Sequence, residues 1–161
     1  MENIFEQLGE ITKPVNLLDS YKRQATIAHY WTSFDPEKRG SQLIDSYGEQ
    51  LAEDIKELQE NHIESDIIES YKERYKSLFN SWLSAKSRCA SSAIAGPAKF
   101  NYRRAEKANR SEENHYQLWQ VWRNKAKKAI IRKSQPAKTF SSEIDRYKTE
   151  LESLRRNHDN R

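Results

Sequence analysis

The chain has 161 residues, with 28 Lys and Arg against 24 Asp and Glu for a formal net charge of +4, a length that suits about one domain. Four glycines and four prolines are too few for the many turns of a β-sandwich or barrel. No apolar run approaches the ~18 residues of a membrane span, the acidic N-terminus does not read as a signal peptide, and the single Cys89 excludes a disulfide framework or a cysteine-based zinc site.

The net charge conceals a division. Residues 1–70 carry 6 basic and 15 acidic side chains, a balance of −9, whereas residues 71–138 carry 17 basic and 4 acidic, a balance of +13. Residues 139–161 hold 5 of each. An acidic half joined to a basic half says more about partners than the total does.

In chain order, residues 17–34 place Leu18, Tyr21, Ala25, Ala28 and Trp31 at three- and four-residue steps, a helical stripe. Asp35-Pro36-Glu37 then reads as a helix start: Asp35 caps free N–H groups, Pro36 needs none at the first position, and Glu37 suits the positive end of the dipole. Ile44, Tyr47, Leu51, Ile55 and Leu58 continue that helix, although Gly40 and Gly48 weaken it by roughly 1 kcal/mol each relative to Ala. Ser65 before Asp66 reads as the next cap, opening a helix with Ile68, Tyr71, Tyr75, Leu78, Phe79, Trp82 and Leu83 that stops near Gly96-Pro97. A third long helix follows, until Ser134-Gln135-Pro136, and a last segment steps through Ile144, Tyr147, Leu151 and Leu154. The expectation is an all-α helical bundle of about five helices, with long antiparallel helices around residues 36–62, 66–95 and 101–132. A bundle over 1–135, acidic in 1–70 and basic in 71–135, would be followed by a C-terminal helix over 136–161, either separate or partner-binding.

Two charged rows stand out on a helical wheel. Taking Arg103 as zero, Lys107, Arg110, Lys125, Lys128 and Arg132 fall within roughly 40° of it, opposite Ala108, Leu118, Trp119, Trp122, Ala126, Ala129 and Ile130. Such a row suits a phosphate backbone, because each neutralised phosphate releases a counterion. Lys72, Lys76 and Lys86 form a smaller row on the preceding helix. The helix of residues 36–64 shows the reverse: Asp45, Glu49, Glu53, Glu57, Glu60 and Glu64 share one face, despite repulsion at i,i+4. That row fits a cationic partner, such as a protein groove that normally holds nucleic acid. An ordinary solvated face is the alternative for each row. Each row points away from its own core, so pairing between molecules is a third reading. The cap signal at Asn109–Ser111 leaves open whether the basic helix is continuous.

The small-residue stretch Ser91–Asn101 leads into Arg103 and Arg104, and its backbone with the following helix start suits a phosphate or a carboxylate; a close helix–helix turn is the plainer reading. Trp31, Trp82, Trp119 and Trp122 lie on apolar stripes and are expected in the core, leaving Tyr102 and Tyr116 as the stacking candidates. His29, His62, His115 and His158 lack ligand spacing, and His115 reads as a half-buried packing residue. No phosphate-binding glycine loop, zincin motif or nucleophile elbow occurs. Arg88 beside Cys89 favours its thiolate, but a buried thiol is the usual outcome.

Tyr30–Arg39, Trp82–Cys89 and Ile94–Asn101, with Arg104-Ala105-Glu106-Lys107 and Trp122–Ala126, resemble small proteins encoded on phages and integrative mobile elements of gut bacteria. The similarity covers about residues 28–133, and Gly96-Pro97-Ala98-Lys99-Phe100-Asn101 is its most specific part. It implies a mobile-element setting in the cytoplasm of a bacterial host cell, and carries no catalytic or binding residue across.

These readings lead to a non-enzymatic phage or mobile-element accessory protein. It is expected to bind DNA or RNA in a sequence-tolerant way through Lys99, Arg103, Arg104, Lys107, Arg110, Lys125, Lys128 and Arg132. No catalytic residue, metal, cofactor or membrane is expected. One alternative is an anti-CRISPR-like inhibitor of a host defence nuclease, with the acidic row Asp45, Glu49, Glu53, Glu57, Glu60 and Glu64 as phosphate mimic. Another is a structural or assembly protein, a homo-oligomer.

Overall fold

A computed structural model of the chain describes residues 16–98, 100–134 and 140–159. A 3₁₀ turn, Asp19–Tyr21, leads into six helices: α1 Lys22–His29, α2 Pro36–Glu60, α3 Ser65–Lys86, α4 Ser92–Ala95, α5 Tyr102–Ser134 and α6 Phe140–Asp159. The described residues form an all-helical bundle, and no helix among them is long and apolar enough to cross a membrane.

Entry to the bundle is set by Asn16. Its Oδ1 accepts from the Leu18 amide at 3.0 Å, while its Nδ2 donates to the Ile44 carbonyl of α2 at 3.0 Å. The stripe over 17–34 is helical only as far as His29; the Thr32 and Ser33 amides then fold back onto the His29 carbonyl. Trp31 consequently leaves the core and is 49% exposed, contrary to the expectation for that tryptophan.

The start of α2 follows its sequence signal: Asp35 Oδ1 accepts from the Lys38 amide at 3.0 Å, and Pro36 is the first helical residue. Gly40 and Gly48 are buried contact points. A Cβ on Gly40 would sit 2.7 Å from the Thr26 backbone nitrogen, and one on Gly48 would collide with the Asn16 side chain. Their helix cost is offset by close approach, of α1 at Gly40 and of Asn16 at Gly48. At the other end His62 adopts φ 56°, and the Ile63 amide reaches the Leu58 carbonyl at 3.1 Å, the closing bond of a Schellman-type end.

α3 departs from expectation at both ends. Ser65 is its first helical residue and the N-cap is Glu64, with no side-chain cap bond. The helix expected over 66–95 ends at Lys86, where the Arg88 and Cys89 amides tighten onto the carbonyls of Ala85 and Lys86. The chain is then held by a tertiary bond: the Ser91 amide donates to the Trp31 carbonyl at 2.8 Å. Ser91 Oγ also accepts from the Ala93 amide, starting the single turn of α4, which Gly96 closes at φ 86°.

α5 is continuous through Asn109–Ser111. Ala108 is buried and Glu112 and Tyr116 are half-buried, four residues apart on the face that meets α3, so the internal cap signal goes unused. At ~1.5 Å per residue its 33 residues span about 50 Å.

Long helices α2, α3 and α5 surround a core of Leu51, Leu58, Tyr75, Phe79, Trp82 and Trp119, with α1 packed on α2 and α3. Ring pairs join the elements: Tyr47 and Trp119 have centroids 4.9 Å apart, Tyr75 and Trp119 5.1 Å, and Tyr71 and Trp122 stack at 5.2 Å. Two positions placed in the α5 core by the wheel are outside it: Leu118 is 66% exposed and Ala129 is exposed. Tyr116, expected outside, packs instead against Trp82 at 5.5 Å. On α6, Ile144, Tyr147 and Leu151 are 48%, 64% and 59% exposed.

Candidate functional site

The face of α5 that turns from the core carries most of the expected cations. Arg103, Arg104, Lys107, Arg110, Lys125, Lys128 and Arg132 are all exposed; Lys99 lies outside the described residues. Of the seven, Arg110 alone has an ion partner among the described residues, Glu106 at 3.1 Å on its own helix. The row is interrupted. Between Arg110 and Lys125 this face presents Asn114, Gln117, Leu118 and Val121, a gap of about 22 Å at ~1.5 Å per residue. Two cationic patches, one at each end of α5, therefore replace the single stripe.

The smaller row on α3 does not remain cationic. Lys72 pairs with Glu69 at 2.8 Å, Lys76 with Glu73 at 3.0 Å and Lys86 with Glu112 at 3.5 Å. Lys86 also lies over the Trp82 ring at 5.5 Å, and Trp82 Nε1 donates to Glu112 Oε1 at 2.6 Å.

At the N-terminal patch α5 borders a pocket of about 710 Å³, open to solvent. One wall is the 87–101 stretch, with Arg88, Ala90, Ala95, Gly96, Phe100 and Asn101; the other is α5, with Arg104, Ala105, Lys107, Ala108 and Ser111; Trp31 closes one side. The small side chains of the loop leave this space. Asn101, which also lines the pocket, caps α5, its Oδ1 accepting from the Arg104 amide at 2.9 Å. No Asp or Glu lines it. Arg88 reaches Ser111 Oγ at 3.5 Å and, with Arg104 and Lys107, has no ion pair among the described residues. Cys89 is nearby in sequence but buried; burial, reinforced by Glu112, pushes its thiol up rather than down.

The acidic row is also exposed, at Asp45, Glu49, Glu53 and Glu60 of α2; Glu64, expected on the same helix, is exposed too but lies beyond the turn at His62 that ends α2 and is the N-cap of α3. Two of its members are engaged within the molecule, by cations that belong to neither basic row. Glu57 is half-buried against Lys127 at 2.6 Å, and Glu60 lies 3.9 Å from Lys56.

The strongest electrostatic cluster lies where α2, α3 and α5 meet, at residues that the charge rows did not single out. Asp54 has no exposed surface. Its carboxylate accepts from Arg123 Nε at 2.6 Å and Nη2 at 2.7 Å, from Lys127 Nζ at 3.0 Å and from Tyr71 Oη at 2.8 Å. Burial alone would push the Asp54 carboxyl up; the hydrogen bonds from Arg123, Lys127 and Tyr71 outweigh it and hold the group below the usual carboxylate range. With Glu57, two carboxylates face two cations, so the cluster is neutral and fully paired. The cluster joins α2, α3 and α5. A sequence signal existed: Asp54 sits between Leu51 and Leu58 on the apolar stripe of α2, and Arg123 between Trp119 and Ala126 on that of α5.

No family model, curated protein or solved structure matches this chain. Among the described residues no group of His, Cys, Asp and Glu is arranged to hold a metal ion. His115 is half-buried with Nδ1 2.7 Å from the Ser111 carbonyl, a packing position as expected.

Proposed function

We propose that this protein is a non-enzymatic nucleic-acid-binding accessory protein of a phage or mobile element, which grips phosphate backbones with the outer face of α5. The observation that carries this reading is the set of exposed cations on α5, of which only Arg110 is paired among the described residues, while the cations that face the bundle interior are neutralised by carboxylates. Lysines and arginines on a helix surface contact phosphates, so binding is tolerant of sequence. Two patches at the ends of α5 allow one strand, or two turns of backbone, to be held at separate points.

The test is titration of DNA and RNA at several salt concentrations. Log affinity should fall linearly with log salt, and Lys107→Glu and Lys128→Glu should each weaken binding across all sequences and reduce the slope by about 1. Absence of binding at low salt, or variants that bind unchanged, would overturn the reading.

A second reading rests on a different observation: Asp45, Glu49 and Glu53 are exposed and have no ion partner among the described residues. The row then acts as a phosphate mimic that blocks a host defence nuclease. Capture of a nucleic-acid-free nuclease that depends on Glu49 and Glu53, and not on Lys128, would favour it over α5.

A further inference from the structure

We propose that the pocket between the 87–101 stretch and the start of α5 receives an unpaired nucleotide, its base against Trp31 and Phe100 and its phosphate among Arg88, Arg104 and Lys107. This deepens the nucleic-acid reading and rests on it for the source of the ligand. Four observations converge.

The first is charge without compensation. The half-buried cations Lys72, Lys76, Lys86, Arg123 and Lys127 each have a carboxylate within 3.5 Å. Arg88, Arg104 and Lys107 line one pocket, have no such partner among the described residues, and face no Asp or Glu in its wall. Like charges gathered around one space raise the affinity of that space for an anion.

The second is aromatic surface left in water. Trp31 is 49% exposed and Tyr102 66%. Each belongs to a ring pair of which one member lines the pocket: Trp31 with Tyr30 at 5.1 Å and Phe100 with Tyr102 at 4.9 Å. Exposed rings beside cations are the combination that binds single strands, because every base has a face to stack. A paired base has both faces covered and cannot use them.

The third is size. About 710 Å³ lies within the ~300–1,000 Å³ of small-ligand pockets. The fourth is continuity: Lys107 belongs both to the pocket wall and to the exposed cationic face of α5, so a strand lying on that face can place one nucleotide in the pocket without leaving the cations.

The experiment measures binding of fluorescein-labelled oligothymidylate, and of a blunt duplex of equal length, to the full chain at low salt. Trp31→Ala should weaken the single strand about tenfold and leave the duplex nearly unchanged. Arg88→Glu, an exposed pocket position outside the α5 row, covers the case in which Trp31→Ala does not fold. Thymidine 5′-monophosphate, added alone against tryptophan fluorescence, separates the sources. Quenching that Arg88→Glu abolishes places a free nucleotide in the pocket; no quenching, with the strand still sensitive to Trp31 and Arg88, restricts the ligand to a nucleotide within a chain. Strand binding unaffected by Trp31→Ala and Arg88→Glu, or duplex binding equally reduced by Trp31→Ala, overturns the pocket while leaving the α5 reading intact. If neither strand nor duplex binds, the α5 reading fails and the mononucleotide alone decides: quenching lost in Arg88→Glu keeps the pocket, and its absence overturns it. A phosphotyrosine peptide that binds more tightly than either nucleotide ligand also overturns it.

Discussion

A carboxylate with no exposed surface is tolerated only when its charge is met on the spot, and Asp54 has four hydrogen bonds from three side chains. Removing one partner from such a group leaves the others desolvated and uncompensated. Asp54→Ala is expected to lower unfolding stability by about 3 kcal/mol, read as a reduced urea midpoint. Replacing Asp54, Arg123 and Lys127 together by apolar residues should recover most of the loss, because the pairing geometry and not the burial is what the single change destroys. His29 makes the complementary prediction. Burial, with Lys86 and Arg39 nearby, lowers its pKa from the usual 6.5 to about 4. Below pH 6.5 the unfolded chain therefore takes up a proton that the folded chain refuses. Stability should fall as pH drops from 6.5 towards 4, and less steeply in His29→Gln. The loss from Asp54 belongs to lower pH, below its ordinary value of 3.8. Urea titrations across the two windows distinguish them.

At the scale of elements, what was legible in the sequence was what neighbours in the chain decide. The start of α2 at Asp35-Pro36 is a cap made within four residues, and it forms as read. The end of α3 is not of that kind. Nothing between Lys86 and Ser91 breaks a helix by composition; the break is fixed by the Ser91–Trp31 bond, between residues 60 apart in the chain. The same distance hid the Asp54–Arg123 pair, 69 residues apart, although a charge on each of two apolar stripes marked both ends of it. The wheel for α5 erred at Leu118 and Ala129 because it allotted a full half of the helix to the core, and the bundle covers a narrower strip around Trp119 and Ala126. Gly40, read as a weakness of α2, is a requirement of the α1–α2 contact. Gly40→Ala places a methyl 2.7 Å from the Thr26 nitrogen, and the thermal midpoint should drop by an amount equivalent to about 1–3 kcal/mol, despite the better helix propensity of alanine.

Taken whole, the molecule has a bipolar surface built on a bundle whose interior ion pairs cross the same divide. Asp54 and Glu57 come from the acidic half, Arg123 and Lys127 from the basic half. The surface charges are in solvent, where salt at ~0.1 M screens them beyond about 10 Å. The clamp is not: Asp54 has no exposed surface, and the Arg123 and Lys127 side chains are 16% and 19% exposed. One helix, α5, thus carries charges of two classes on opposite sides, one answering to ionic strength and one indifferent to it. Raising salt should strip nucleic acid from α5 while the thermal midpoint, followed by circular dichroism in the same buffers, stays nearly constant. A midpoint that fell in parallel with affinity would show the clamp to be open to ions. If the outer face of α5 grips phosphate as proposed, the buried carboxylate does more than join three helices: it rests the fold on pairs shielded from the salt that would loosen the grip, so that release of the ligand would need no unfolding.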